Sequence, residues 1–170
     1  MPELTASEWL AYGIGTLGVL IEWRAYFLHS GQLFRRWSAI GALLWASQYF
    51  LLDAWTAGLT MASTALRTLM SAKFTEGHYK HWAAASFVLL FSGLTVSSWQ
   101  GLVSLLPAFA VINTTLALFY LDNRYMRITL LASSAAWIAN DFYWQAWPAL
   151  VAESIVVLIN LHTIGKLADH

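Results

Sequence analysis

Apolar residues fill seven stretches of this 170-residue chain, and short polar segments separate them. A helix of about 20 mostly apolar residues crosses the ~30 Å hydrocarbon core of a bilayer. The pattern therefore predicts an all-α membrane protein with seven transmembrane helices, over residues 9–28, 37–54, 56–73, 82–98, 102–121, 127–144 and 148–166. We group these as a single transmembrane domain (1–170) with a first triplet (9–73), a linker helix (82–98) and a second triplet (102–166).

The basic residues in the loops and at the adjoining ends of the predicted helices all fall on one side of the membrane. They are Arg24, Arg35, Arg36, Lys73, Lys80, Arg124, Arg127 and Lys166. Lys and Arg near span ends are retained on the cytoplasmic side. The distribution thus predicts an N-terminus outside the cell and a C-terminus in the cytoplasm. The ninth basic residue, Arg67, lies inside the third predicted span.

Composition excludes several classes of protein. Charged residues make up 11% of the chain, which is too few to cover a soluble domain. The absence of cysteine excludes disulfides and thiolate metal sites. Net charge is zero and no basic cluster suggests nucleic acid. We expect no cofactor, and the sequence leaves homo-oligomer formation open.

An internal repeat emerges when the chain is shifted by 92 residues. The shift superposes the second span on the sixth, with these matches: Trp45 with Trp137, Arg35 with Arg127, Gln48 with Asn140, and Phe50 with Phe142. The third and seventh spans align poorly, and a slip of about one turn is expected there. The repeat predicts two parallel triplets with a binding site at their interface. The alternative is that aromatic-rich spans resemble each other by composition alone.

Three stretches, WLAYGIGTLGVL, FLLDAWTAGLTMASTALRTL and LLPAFAVINTTLALF, resemble the YgjV-type bacterial inner-membrane proteins. The resemblance covers nearly the whole chain, and its best motif is the Ala-Leu-Arg-Thr of residues 65–68. That family is similar to SWEET sugar transporters and nicotinamide riboside transporters, which implies a three-plus-one-plus-three helix fold. SWEET-like sites pair an Asn on helix three with an Asn on helix seven. Asn160 matches the second of these, whereas Thr64 stands at the position of the first.

Amide and indole side chains near the middle of the spans are the candidate ligand site. They are Trp45, Gln48, Asn113, Trp137, Asn140 and Asn160. Amides can hydrogen-bond the edge of a small polar ligand, while rings stack on its face. The alternative is that the amides join neighbouring helices.

Four ionisable residues within the spans form two candidate pairs. Glu22 and Arg67 lie at depths of about 20 and 17 Å at 1.5 Å per residue, which predicts a charge pair or inner gate. The alternatives are a structural pair and an arginine that binds an anionic group of the solute. Asp141 and Glu153 lie at one depth nearer the outer face. Two such carboxylates can share a proton and couple transport to it, or both can remain ionised in an outer vestibule.

We therefore expect a transporter of a small polar metabolite that works by alternating access of the two triplets. The alternative is a non-transporting scaffold or accessory subunit of a larger membrane complex, which would have a dry, filled centre. Scattered histidines and the absence of a Ser/His/Asp arrangement give no support to an enzyme.

Overall fold

The structure is a computed structural model that describes residues 4–26, 31–70, 78–121 and 123–168. These residues form seven α-helices and no strand, and a short 3-10 turn (Leu102–Ser104) precedes the fifth helix. The helices are α1 (Ala6–Tyr26), α2 (Gly31–Leu51), α3 (Trp55–Met70), α4 (Tyr79–Ser97), α5 (Leu105–Tyr120), α6 (Asn123–Tyr143) and α7 (Trp147–Ala168). Each predicted span falls on one of them. The ends predicted at 27–28 and 71–73, with Lys73, lie outside the described residues.

The helices expose large apolar side chains and bury small ones. Exposed positions include Leu17, Leu43 and Leu158, whereas most buried apolar residues are alanines. Small interfacial residues are typical of helices that pack within lipid. By length and hydropathy alone, one segment of the described chain, Leu102–Tyr120, qualifies as a membrane span, and Trp147–His162 is apolar but shorter. Several other helices place polar residues toward the interior, which lowers their mean hydropathy.

Consecutive helices pack against each other in each half of the chain. In the first half α2 contacts both α1 and α3, and in the second half α6 contacts both α5 and α7. The two halves meet where α1 contacts α7 and where α3 contacts α5. Helix α4 packs against α5 and α3. The short connections therefore join antiparallel neighbours, as predicted.

The turns that join α2 to α3 and α6 to α7 have the same backbone geometry. Asp53 (φ 58°) and Gln145 (φ 54°) are the two non-glycine residues of the described chain with positive φ. The backbone amide of Ala54 donates to the backbone carbonyl of Tyr49 at 2.9 Å. The backbone amide of Ala146 donates to the backbone carbonyl of Asp141 at 2.8 Å. Both are Schellman caps, in which the residue after the helix adopts the left-handed conformation. We call the end of the bundle that contains them the turn end.

These equivalent turns confirm the repeat, because each pair of residues is separated by the offset of 92 that the sequence indicates. They also correct one expectation. Helices α3 and α7 begin at equivalent residues, Trp55 and Trp147, so no slip of one turn is needed.

Helix α1 approaches α2 closely at two glycines. A Cβ atom at Gly15 would collide with the side-chain amide of Gln48, and one at Gly18 would collide with the ring of Trp45. Glycine at these positions therefore brings the two backbones together and fixes Trp45 and Gln48 between them.

Candidate functional site

A cavity of about 270 Å³ lies among six of the seven helices, and we call it the central cavity. Residues of α1, α2, α3, α5, α6 and α7 line it, whereas α4 contributes none. The lining residues are Glu22, Ser38, Ala42, Trp45, Met61, Thr64, Arg67, Thr68, Thr114, Leu130, Ser133, Ser134, Trp137, Glu153, Val156 and Asn160.

Most of the lining comes from equivalent positions in the two halves. Fourteen of the sixteen residues form seven pairs separated by the repeat offset of 92. The pairs are Glu22 with Thr114, Ser38 with Leu130, Ala42 with Ser134, Trp45 with Trp137, Met61 with Glu153, Thr64 with Val156, and Thr68 with Asn160. The two halves of the chain thus line the cavity with the same helix positions, although the side chains at those positions differ.

The cavity lies toward the end of the bundle opposite the turn end. It is lined near the end of α1, the start of α2 and the end of α3. Arg24, Arg35 and Arg127 lie in the same half of the bundle, which we call the cationic end. A second cavity of about 610 Å³ extends along α1, α6 and α7 and shares five lining residues with the central one: Glu22, Trp45, Leu130, Val156 and Asn160.

A buried hydrogen bond closes the bundle between the central cavity and the turn end. The hydroxyl of Tyr49 donates to Oδ1 of Asp141 at 2.6 Å. Trp137, which lines the cavity, stacks on the Tyr49 ring with centroids 5.8 Å apart. Tyr49 and Asp141 are themselves equivalent positions, so the two halves meet here at the same point of their repeat. We call this contact the axial seal.

The structure does not form the predicted charge pair between Glu22 and Arg67, although both line the central cavity. Glu22 accepts a hydrogen bond from the hydroxyl of Ser38 at 2.8 Å. Arg67 instead faces α5, where Nη1 donates to the hydroxyl of Thr115 at 2.8 Å and to the carbonyl of Val111 at 3.2 Å. The two residues lie at similar depth and therefore line the same cavity. Their side chains point in different directions around the helix axes, so they do not contact each other.

Arg67 has a third contact at the junction of α3, α4 and α5. Its guanidinium carbon lies 5.8 Å from the centroid of the Phe91 ring. Cation–π attraction stabilises a desolvated guanidinium in this position. Arg67 therefore lines the cavity while it is attached to the second half of the chain.

Three of the six predicted ligand-site residues line the central cavity: Trp45, Trp137 and Asn160. Asn160 also accepts a hydrogen bond from Nη1 of Arg127 at 3.0 Å, which joins α7 to α6.

The other three predicted amides lie behind the wall of the cavity. Asn113 donates to the Ser133 hydroxyl at 2.9 Å and supports that lining residue. Gln48 is fully buried against α1, and neither of its amide atoms has a hydrogen-bond partner among the described residues. Asn140 is also fully buried and donates to Asp141 at 3.3 Å. Of these three amides, Asn113 hydrogen-bonds to a neighbouring helix, which is the alternative that the sequence left open, whereas Asn140 bonds within α6.

The predicted carboxylate pair has two different environments. Asp141 is buried in the axial seal, where Tyr49 and Asn140 donate to it. Glu153 lines the central cavity next to Ser134. A role for these residues in proton coupling stays a prediction.

Sequence reasoning missed Tyr49 and the hydroxyl residues of the cavity. Tyr49 stands at the position equivalent to Asp141, so the repeat offset was a signal that could have found it. Ser38, Thr68, Thr114 and Ser134 gave no comparable signal, because Ser and Thr in a membrane helix commonly bond to their own backbone.

Comparison with known proteins gives a family match over nearly the whole chain. The family model Imp-YgjV, described as a bacterial inner membrane protein, matches residues 9–170. The chain is 26% identical over 152 residues to the inner membrane protein YgjV of Escherichia coli (strain K12), which covers 89% of this chain and 81% of that protein. No solved structure matches the chain.

Proposed function

The chain belongs to the YgjV family of bacterial inner-membrane proteins, and on that premise we propose that it carries a small polar metabolite across the inner membrane by alternating access. In this proposal α1–α3 and α5–α7 are two parallel triplets in a SWEET-like arrangement, and α4 is the linker between them. The central cavity is the solute site.

The paired lining of the central cavity is the observation that carries this proposal. Transporters built from parallel repeats bind their solute at the repeat interface and open it to each side by moving one repeat against the other. A cavity lined by equivalent positions of both halves changes shape when either half moves. A non-transporting scaffold predicts a filled centre, and a cavity with charged and hydroxyl side chains speaks against that alternative.

The two ends of the cavity support one direction of access. The axial seal separates the cavity from the turn end, and the cavity extends toward the cationic end. Basic residues are retained on the cytoplasmic side. In this proposal the solute reaches the cavity from the cytoplasm, the N-terminus lies outside, and the axial seal acts as the outer gate.

Cysteine accessibility tests this proposal directly, since the natural chain contains no cysteine. Ala42→Cys and Ser134→Cys occupy equivalent cavity positions, and Ala110→Cys is a buried control that does not line the cavity. A membrane-impermeant maleimide should label the first two in inside-out vesicles and leave the control unlabelled. Adding Tyr49→Phe should increase labelling from the outside. Labelling of the cavity positions no faster than the control, from both sides, contradicts the proposal.

Solute uptake into proteoliposomes separates the lining amide from the packing amides. Asn160→Ala should reduce uptake more than Asn140→Ala does, because only Asn160 lines the cavity. Unchanged uptake in the Asn160 variant, for every solute that the wild-type protein carries, would remove Asn160 from the site.

A further inference from the structure

The charges that line the central cavity differ in how they are compensated. Two carboxylates, Glu22 and Glu153, come from opposite halves of the chain, and one guanidinium comes from Arg67. A buried ion in a low-dielectric site needs a counter-charge or several hydrogen bonds. The partners of these three groups therefore indicate which charge a ligand would have to bring.

Arg67 already has such partners within the protein. Thr115 and the carbonyl of Val111 accept from it, and the Phe91 ring lies under its guanidinium. Both hydrogen bonds come from Nη1, so these neutral groups hold one side of the guanidinium without an anion from outside.

The two carboxylates lack an equivalent partner. Glu22 accepts one hydrogen bond from Ser38, and Glu153 lies next to Ser134. Neither carboxylate forms an ion pair with a basic side chain of the described residues. With both ionised, the lining of the central cavity carries one more negative than positive charge, which a monovalent cation would balance. Arg127 lies outside this lining, in the adjoining cavity, and donates to Asn160.

Two indole rings stand in the same lining. Trp45 and Trp137 occupy equivalent positions on α2 and α6, so each half presents one ring to the cavity. The face of an indole ring attracts cations, and aromatic cages of this kind recognise quaternary ammonium groups. The rings therefore favour the same charge as the carboxylates.

The size of the cavity limits the ligand. A volume of about 270 Å³ corresponds to roughly nine water molecules at about 30 Å³ each. A solute with a compact ammonium group and a short polar arm fits this volume.

We propose that the central cavity binds a small organic cation, whose charged nitrogen lies between Glu22 and Glu153 and beside the rings of Trp45 and Trp137. This rests on the proposed function in taking the cavity as the solute site. It adds the chemical class of the solute, and the hydroxyl side chains of Ser38, Thr68 and Ser134 hydrogen-bond its polar end.

Three probes of nearly the same shape test the class of ligand. Choline is a cation, 3,3-dimethylbutan-1-ol replaces its nitrogen with carbon, and glycine betaine adds a carboxylate. Choline should raise the melting temperature of the purified protein in detergent, because a ligand that binds the folded state stabilises it. The neutral alcohol should give no shift at the same concentration, and betaine a smaller shift than choline.

Matched variants locate the bound cation. Glu22→Gln and Glu153→Gln should each weaken choline binding by about 30-fold, as expected when one partner of a buried charge pair is removed. Glu8→Gln changes a half-buried carboxylate of α1 outside the cavity and should leave the dissociation constant unchanged. Circular dichroism and gel filtration identify a variant that fails to fold. The comparison of choline with its neutral analogue uses the wild-type protein, so it tests the proposal even if a variant does not fold.

Three results would overturn the proposal. The first is an equal shift with the neutral alcohol, and the second is a larger shift with betaine, which would indicate a zwitterion. The third is no shift with choline up to about 10 mM, where a ligand of millimolar affinity would be bound. If cysteine labelling still shows alternating access, the proposed carrier function stands and only the proposed class of solute is rejected.

Discussion

The α2–α3 and α6–α7 hairpins have the same backbone turn but pack their aromatic rings differently. In the first hairpin Phe50 lies over Gly58 and contacts Trp55, with ring centroids 5.4 Å apart. In the second hairpin Leu150 replaces the glycine, and Phe142 is 67% exposed. Phe142 still meets Trp147 edge to face, with ring centroids 6.2 Å apart, so both hairpins keep the Phe–Trp contact in different geometries. The Schellman cap is preserved under both arrangements, so it depends on the backbone rather than on the ring.

The same contrast extends into the central cavity. Met61 of the first hairpin corresponds to Glu153 of the second, and Thr68 corresponds to Asn160. The repeat therefore retains the helix positions that form the cavity, while the chemistry of its two walls has diverged. A site between two similar halves can in this way bind a solute that has no symmetry of its own.

The largest effect should come from breaking the contact that joins the two hairpins. Tyr49→Phe removes the donor to a buried carboxylate, which should lower the free energy of unfolding by about 1.5–3 kcal/mol. Asp141→Asn keeps an acceptor oxygen and should cost less. Thermal unfolding in detergent measures both, and a double-mutant cycle gives their coupling. Tyr143→Phe changes an exposed tyrosine of α6 and serves as the control, and a Tyr49→Phe loss no larger than that of the control would contradict the buried bond.

Gly58→Leu should convert the ring packing of the first hairpin into that of the second. The new side chain would occupy the space of the Phe50 ring and displace it, at a cost of about 1–3 kcal/mol. Gly93→Leu is the control, because a Cβ atom at Gly93 on α4 would meet no neighbouring atom within 4 Å. Melting temperatures of the two variants test the difference. Equal melting temperatures would mean that Phe50 does not depend on the glycine.

Glycine at the two positive-φ positions should stabilise both hairpins alike. Asp53→Gly and Gln145→Gly each relieve a left-handed conformation that costs a non-glycine residue roughly 1–2 kcal/mol, offset in part by the entropy of glycine. We expect a net gain of about 0.5–1 kcal/mol from each change and an additive double variant. Denaturation midpoints measure it, and a gain at only one position would show that the two turns are not equivalent in solution.

The smallest effect concerns the start of each half. Thr5 and Glu8 form a capping box at α1, whereas Ser104 makes no side-chain cap at α5. Hydrogen bonds from Thr5 lower the pKa of Glu8 below its ordinary 4.5. The cap is therefore present above pH 4.5 and is lost as the pH falls through the lowered pKa.

Hydrogen exchange of the first-turn amides of α1 tests this pH dependence. Exchange, corrected for its intrinsic rate, should accelerate as the pH falls through the lowered pKa of Glu8, and Glu8→Gln should remove the acid-dependent step. An unchanged acid profile in that variant would assign the effect to another group.

The sequence predicted the helices well because apolar length and loop chemistry are local properties. It also identified Trp45, Trp137 and Asn160 as lining residues from their depth in the spans. Depth gives the height of a residue but not its direction around the helix. For that reason Glu22 and Arg67 line one cavity without bonding to each other, and Gln48 lies behind the wall of that cavity.

The remaining part of the site depends on how the two halves meet. Tyr49 and Asp141 carry no distinctive signal within their own helices, and their bond forms only when α2 and α6 come together. The hydroxyl residues of the cavity likewise acquire a role only from the surface that they share. These properties are tertiary, so a single sequence carries them weakly.

The bond between Tyr49 and Asp141 has an evolutionary consequence. In a dimer of identical half-length chains, a residue at this point would face its own copy, so a phenol would meet a phenol or an acid would meet an acid. A tyrosine can stand opposite a carboxylate here only when the two halves are encoded separately. Duplication followed by divergence would therefore have allowed a pairing that no homodimer of the ancestor could make.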